Sequence, residues 1–206
     1  MTESRGRGKR SAQDAANTRR NILNVAASCF AQAGFDRASV RDIAAEAGVS
    51  HGVLRHHFGS KADLWQAVMS EVFSEFQAKV APLLADDSTN DAAERFRRLV
   101  RGFIEVTQSH TDYARLFVME TQGDNERAEF CRAQFRLQHQ AISPLFAAAK
   151  EVLPELQHHT NDSFSYCLLS LTYFPLMFPA LKADQKDIDV DFLMQVLFSR
   201  PAMTVG

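Results

Sequence analysis

SVRDIAAEAGVSHGVLRHHF, residues 39–58, decides how the rest of the chain is read. Two short helices that cross steeply share a very small core, so only certain residue types fit at certain offsets. Ile43, Ala47, Val49 and Leu54 supply apolar contacts at those offsets, and Ala44 is the small residue where the helices touch. Gly48 stands at the turn, where the backbone needs a positive φ that glycine adopts without strain. His57 occupies a place where another apolar side chain is usual. Ser39 predicts an N-cap, with Asp42 three places on as its capping-box partner. The segment therefore predicts helices over about 40–47 and 50–57, joined as a helix-turn-helix.

Upstream, a helical period over 14–33 places Ile22, Leu23, Val25, Ala26, Cys29 and Phe30 on one side, and Gly34 closes the helix. Residues 1–13 are polar, with Arg5, Arg7, Lys9 and Arg10, and read as a flexible basic arm or a merely solubilising tail. Downstream, Ser60 caps a long helix over 61–84 with Leu64, Trp65, Val68, Val72, Phe73, Phe76 and Val80 on its apolar face. Further helices are predicted at 91–109, 111–121, 125–150, 162–181 and 188–198. No alternating strand run or hairpin turn interrupts them, so the fold class is all-α.

Hydrophobic residues make up 46% of 206, enough for a true core. Net charge is −2, but unevenly spread: residues 1–61 hold ten Lys/Arg against five Asp/Glu, and 62–206 hold thirteen against twenty. A basic front on an acidic body suits a chain that presents one end to a polyanion. Cys29, Cys131 and Cys167 fit no disulfide framework or zinc spacing, and the charged amino terminus has no secretory pattern, so a cytoplasmic location is expected. Residues 163–181 carry no charge, yet Ser163, Ser165, Ser170, Thr172, Pro175 and Pro179 argue for a buried subunit interface rather than a membrane span.

From Thr18 to Val68 the chain resembles the DNA-binding domain of the TetR family. The landmarks are Ala26, Phe30, Gly34, Phe35, Ser39, Val40, Ile43, Ala44, Ala47, Gly48, Val49, Ser50, Gly52, Leu54, His56, Phe58, Lys61 and Leu64. The resemblance covers about residues 17–70; beyond them only the helical layout is similar. It implies three DNA-binding helices, a connecting fourth and a helical body that pairs by a four-helix bundle and often holds a ligand. The implied division is a basic arm at 1–13, a DNA-binding domain at 14–60 and a ligand-sensing and dimerisation domain at 61–206. Ser50, His51, Gly52, Val53, Arg55 and His56 then fall on the part of the recognition helix that enters a major groove. Ser39 and Lys61, at helix N-termini, suit phosphate, and Arg41 adds charge beside them. Arg55 departs from the family pattern, which commonly has an aromatic there; it could read guanine or hold a phosphate.

The expected partners are double-stranded DNA with an inverted-repeat operator, a small-molecule effector and a second copy of the chain. Leu168, Leu171, Phe174, Met177, Phe178, Leu193, Val196 and Leu197 on the last two helices are the expected dimer face. Among sixteen phenylalanines, Phe76, Phe103, Phe117 and Phe135, with Gln138 as a polar anchor, read either as a ligand pocket or as plain core. A repressor released by its ligand is the leading reading. An activator, a chromosome-associated protein without a ligand, and an interaction module that has lost DNA readout are the alternatives. His51, His56 and His57 lack metal-ligand spacing, and Glu120, Asp124, Glu126 and Glu129 read as solvated helix-face charges. No catalytic constellation appears, so neither enzyme activity nor a cofactor or metal is expected.

Overall fold

The computed structural model describes residues 4–86, 88–178 and 189–199, with side chains from Gln13 onward. Its helices are α1 (Ser4–Arg37), α2 (Val40–Glu46), α3 (His51–Phe58), α4 (Lys61–Leu84), α5 (Ala92–Ser109), α6 (Thr111–Thr121), α7 (Glu126–Val152), α8 (Asn161–Met177) and α9 (Val190–Leu197). A 3-10 turn, Pro154–Leu156, links α7 to α8. The chain falls into two compact units, 1–73 and 74–206. No helix among the described residues is long and apolar enough to cross a membrane.

In the first unit the residues chosen for their spacing are the ones that lose contact with water. Ile22, Leu23, Ala26 and Phe30 of α1, Ile43 and Ala44 of α2, Leu54 and Phe58 of α3, and Leu64, Trp65 and Val68 of α4 are buried. Ser39 accepts from the Asp42 amide at 3.3 Å, and Ser50 from the Val53 amide at 3.2 Å, which starts α2 and α3. The α1 helix begins at Ser4, well before the expected start at residue 14, so the residues read as an irregular arm are helical. The apolar stripe that reveals a helix begins only at Ile22. The Ala- and Gln-containing stretch before it has no proline to stop the helix and leaves no periodic trace.

Gly48 sits at φ +69°, and a methyl group there would meet no atom within 4 Å. The cost of Gly48→Ala is therefore confined to the backbone, a loss of about 1–2 kcal/mol of stability. Urea unfolding measures it, and an unchanged midpoint would mean the turn escapes the left-handed region.

The second unit is organised on one core from α5, α7, the 3-10 turn, α8 and α9: Phe96, Val100, Ile104, Phe146, Ala149, Leu153, Leu156, Phe164, Leu193 and Leu197. Two expectations change here. Leu193 and Leu197, assigned to a dimer face, pack inward; Phe192 and Val196 of the same helix are the exposed ones. In the apolar stretch VDFLMQVL nearly every side is hydrophobic, so period alone cannot tell the inner face from the outer. Glu120, expected in solvent, is buried and bonds Arg127 across the α6–α7 bend, Oε2 to Nε at 3.2 Å. A carboxylate so placed needs that partner. The α8 helix ends at Met177, two residues after Pro175; Pro179 and the expected helix ends at Leu181 and Ile188 lie outside the described residues.

Candidate functional site

Helix α3 presents two unlike faces. Leu54 and Phe58 are inside, whereas His51, Gly52, Val53, Arg55 and His56 are exposed, and Val53 keeps 39% of its surface. Ser50 is exposed as the N-cap of α3; Ser39 caps α2 half-buried, with exposed Arg41 on the first turn behind it. All these positions belong to the first unit, at the start of α2 and along α3. Each capping hydroxyl uses its oxygen to accept from its own helix, which leaves its proton for an outside acceptor.

Neighbouring contacts hold these helices in place. The Asn21 amide donates to the Ala47 carbonyl at 2.9 Å, tying α1 to the turn. The Arg19 guanidinium lies 5.2 Å over the Phe58 ring. The Lys61 ammonium donates to the Asp36 carbonyl at 3.1 Å and sits 4.7 Å over the Phe35 ring. One of its three donors is thus committed to the α1–α2 connection. Asp63 and Ser60 close a capping box at the start of α4, and the Ser60 hydroxyl and amide hold the Asp63 carboxyl below its ordinary range. Helix α4 therefore keeps a charged cap at neutral pH, and that contribution is lost only in acid, as the carboxyl protonates.

A second cluster lies in the second unit. Phe76 of α4 meets Phe103 of α5 edge to face at 5.5 Å between ring centres. Phe103 meets Tyr173 of α8 at 6.3 Å, and Tyr173 meets Phe117 of α6 at 6.1 Å. Phe117 then meets Phe135 of α7 at 6.2 Å, and Phe135 stacks on His139 at 5.8 Å. The four phenylalanines chosen from sequence thus form one row, but its hub is Tyr173, which sequence reasoning missed. A tyrosine inside an uncharged apolar span was the available signal, because its hydroxyl must find a partner there. Gln138 is half-buried on α7, and the ring against Phe135 belongs to its neighbour His139. His139 itself is tied down, Nε2 to Asp162 at 2.8 Å and Asn161 at 2.9 Å, Nδ1 to Ser165 at 3.2 Å.

Two of the three thiols, Cys29 and Cys131, are held inert. Burial, then the Glu46 carboxylate it bonds, pushes Cys29 up to about 11, and burial, then Glu120, pushes Cys131 up to about 12. Both are protonated at neutral pH and poor nucleophiles. Among the described residues no three His, Cys, Asp or Glu side chains converge as metal ligands would.

Residues 22–68 match the family model described as bacterial regulatory proteins, tetR family. Among curated relatives, the chain is 26% identical over 139 residues to the HTH-type transcriptional regulator BetI of Stenotrophomonas maltophilia, covering 68% of this chain and 70% of that one. Among solved structures it is similar to the fatty acid degradation regulator FadR from Bacillus halodurans, with a TM-score of 0.68, 20% identity, and 87% and 97% of the two chains covered. It is also similar to AibR, solved with isovaleryl coenzyme A and operator DNA, with a TM-score of 0.69, 19% identity, and 89% and 100% covered. Motif, burial pattern and family model coincide on the same residues, and residues 22–68 form a helix-turn-helix domain of the tetR family of bacterial regulatory proteins.

Proposed function

We propose that the protein is a dimeric, cytoplasmic repressor that leaves an inverted-repeat operator when a small molecule enters its helical body. Residues 14–60 read the DNA through Ser39, Arg41, Ser50, His51, Gly52, Val53, Arg55 and His56. Residues 61–206 sense the ligand and pair the subunits. AibR, of the same fold, was solved with both an acyl coenzyme A and operator DNA, which supports one chain serving both tasks.

Gly52 carries the DNA half of the reading. Its φ is not in the left-handed region, and a methyl group there would meet only the Ser50 hydroxyl, at an ordinary 3.7 Å. Nothing inside the protein requires glycine, which weakens the helix relative to alanine. The reason lies outside, where DNA must approach the backbone closely. Gly52→Ala is expected to raise stability by about 0.5–1 kcal/mol while lowering operator affinity, the reverse of Gly48→Ala on the first count. Selection from a random duplex library supplies the operator, and titration at several salt concentrations measures both variants. On this duplex Lys61→Ala should flatten the salt slope by about one, the loss of one phosphate contact. Recovery of no enriched inverted repeat would overturn the proposal.

Release follows from α4, an unbroken helix from Lys61 to Leu84 that carries both a proposed phosphate contact and Phe76 of the aromatic row. A ligand that parts Phe76 from Phe103 displaces α4, and two recognition helices then no longer match one groove spacing. Weakening operator binding 100-fold takes about 2.7 kcal/mol of differential affinity, within ordinary coupling energies.

A further inference from the structure

Val53 is the odd residue on the outward side of α3. Among the described residues of the first unit it is the one large apolar side chain that stands exposed, at 39%. At about 100° per residue, Gly52 lies near the middle of the helix side opposite buried Leu54 and Phe58, with Arg55 about 60° to one flank and Val53 about 100° to the other. His51 and His56 complete that exposed side, which leaves Val53 as its only apolar side chain.

The fold makes no demand for valine there. A β-branched residue is a poorer helix former than alanine, and an exposed one gains little from the core. Ser50 accepts from the Val53 amide at 3.2 Å, a bond that any residue except proline would offer. Valine is also short, so a partner can touch its methyl groups only by coming close to the helix backbone. Gly52 leaves that approach open, since a methyl group in its place would have only the Ser50 hydroxyl within 4 Å. In the major groove, base edges present hydrogen-bond donors and acceptors and one apolar feature, the C5 methyl of thymine.

Given the DNA-reading role proposed for α3, on which this rests, we infer that Val53 determines specificity by packing on a thymine methyl. Each half-site of the operator then carries a thymine where the first turn of α3 meets it. Two-fold pairing makes the same contact twice.

The inverted repeat selected by the full-length protein supplies the test, resynthesised with deoxyuridine in place of each thymine in turn, in both half-sites at once. Deoxyuridine keeps every hydrogen-bonding edge of thymine and loses only the methyl. At one thymine position binding should weaken about fifteenfold, from about fourfold for each buried methyl, while the other positions change little. Val53→Ala, with folding checked by circular dichroism, should weaken the thymine operator but bind the deoxyuridine one nearly as the unmodified protein does. The two duplexes then become equivalent. A deoxyuridine penalty that persists undiminished in Val53→Ala assigns the methyl to another contact or to DNA shape, and overturns the role of Val53. A repeat in which every thymine tolerates deoxyuridine overturns it too, while leaving α3 a reader of DNA. Selection that enriches no repeat overturns both.

Discussion

Phe96→Ala is expected to cost the second unit about 3–5 kcal/mol, the largest stability effect of any single truncation considered for this chain. Phe96 is 2% exposed, and its ring touches three others drawn from distant parts of the sequence: Phe146 at 5.6 Å, Phe164 at 5.2 Å and Phe198 at 6.1 Å. Those partners are held by α7, by α8 and by the end of α9, so no single neighbour can move in to fill the space. The loss then includes both the transferred apolar surface and the cavity left behind. Set against a typical total stability of about 5–15 kcal/mol, it is enough to leave a marginal fold. Urea unfolding followed by circular dichroism at fixed protein concentration measures it. Leu137→Ala, at a residue 60% exposed, serves as the comparison and should change stability by no more than about 0.5 kcal/mol. Equal midpoints for the two variants would show that the Phe96 cluster is not the organising core.

The helix-turn-helix was legible because a tiny core tolerates few residue types. Ile43, Ala44, Gly48 and Leu54 each answer a steric demand that can be stated without coordinates, and the structure buries the three apolar ones and turns the glycine to φ +69°. The helical body was legible only as a set of apolar faces. Phe103 and Tyr173 lie seventy positions apart, and no period within one helix can announce a contact between two. The same limit hid the Glu120–Arg127 pair, since a burial that depends on a neighbouring helix leaves no mark in local spacing. On α9 the apolar residues were recognised but their two faces were not, because a short helix that is apolar almost all round gives no direction to its stripe. That distinction bears directly on the proposed subunit contact.

Phe174→Glu should convert the protein from dimer to monomer at micromolar concentration and lower operator affinity on the order of 10²–10⁴-fold. Tyr166, Ser170, Phe174 and Phe178 follow one another at four-residue spacing along α8 and its cap, and Tyr166 is 68% and Phe174 54% exposed. The Phe174 and Phe178 rings lie 4.8 Å apart and make a single apolar surface. On α9, Phe192 at 56% and Val196 present a second outward strip, while Leu193 and Leu197 anchor the helix to the core behind it. Large aromatics left this exposed on two helices are more than a lone soluble unit ordinarily carries. A two-fold axis through such a surface is isologous, so each substitution is met by its own copy and one mutation places two carboxylates in the contact. Neither can be satisfied without parting the subunits. The fold itself should survive, because Phe174 is outside the core, and circular dichroism should match the unmodified protein. The operator loss is larger than any single contact could explain, because a monomer forfeits the effective concentration that the first bound half-site gives the second. Sedimentation of both proteins, together with titration of the selected inverted repeat, reads the two effects. A Phe174→Glu protein that remains dimeric and binds the repeat undiminished would place the subunit contact elsewhere than α8.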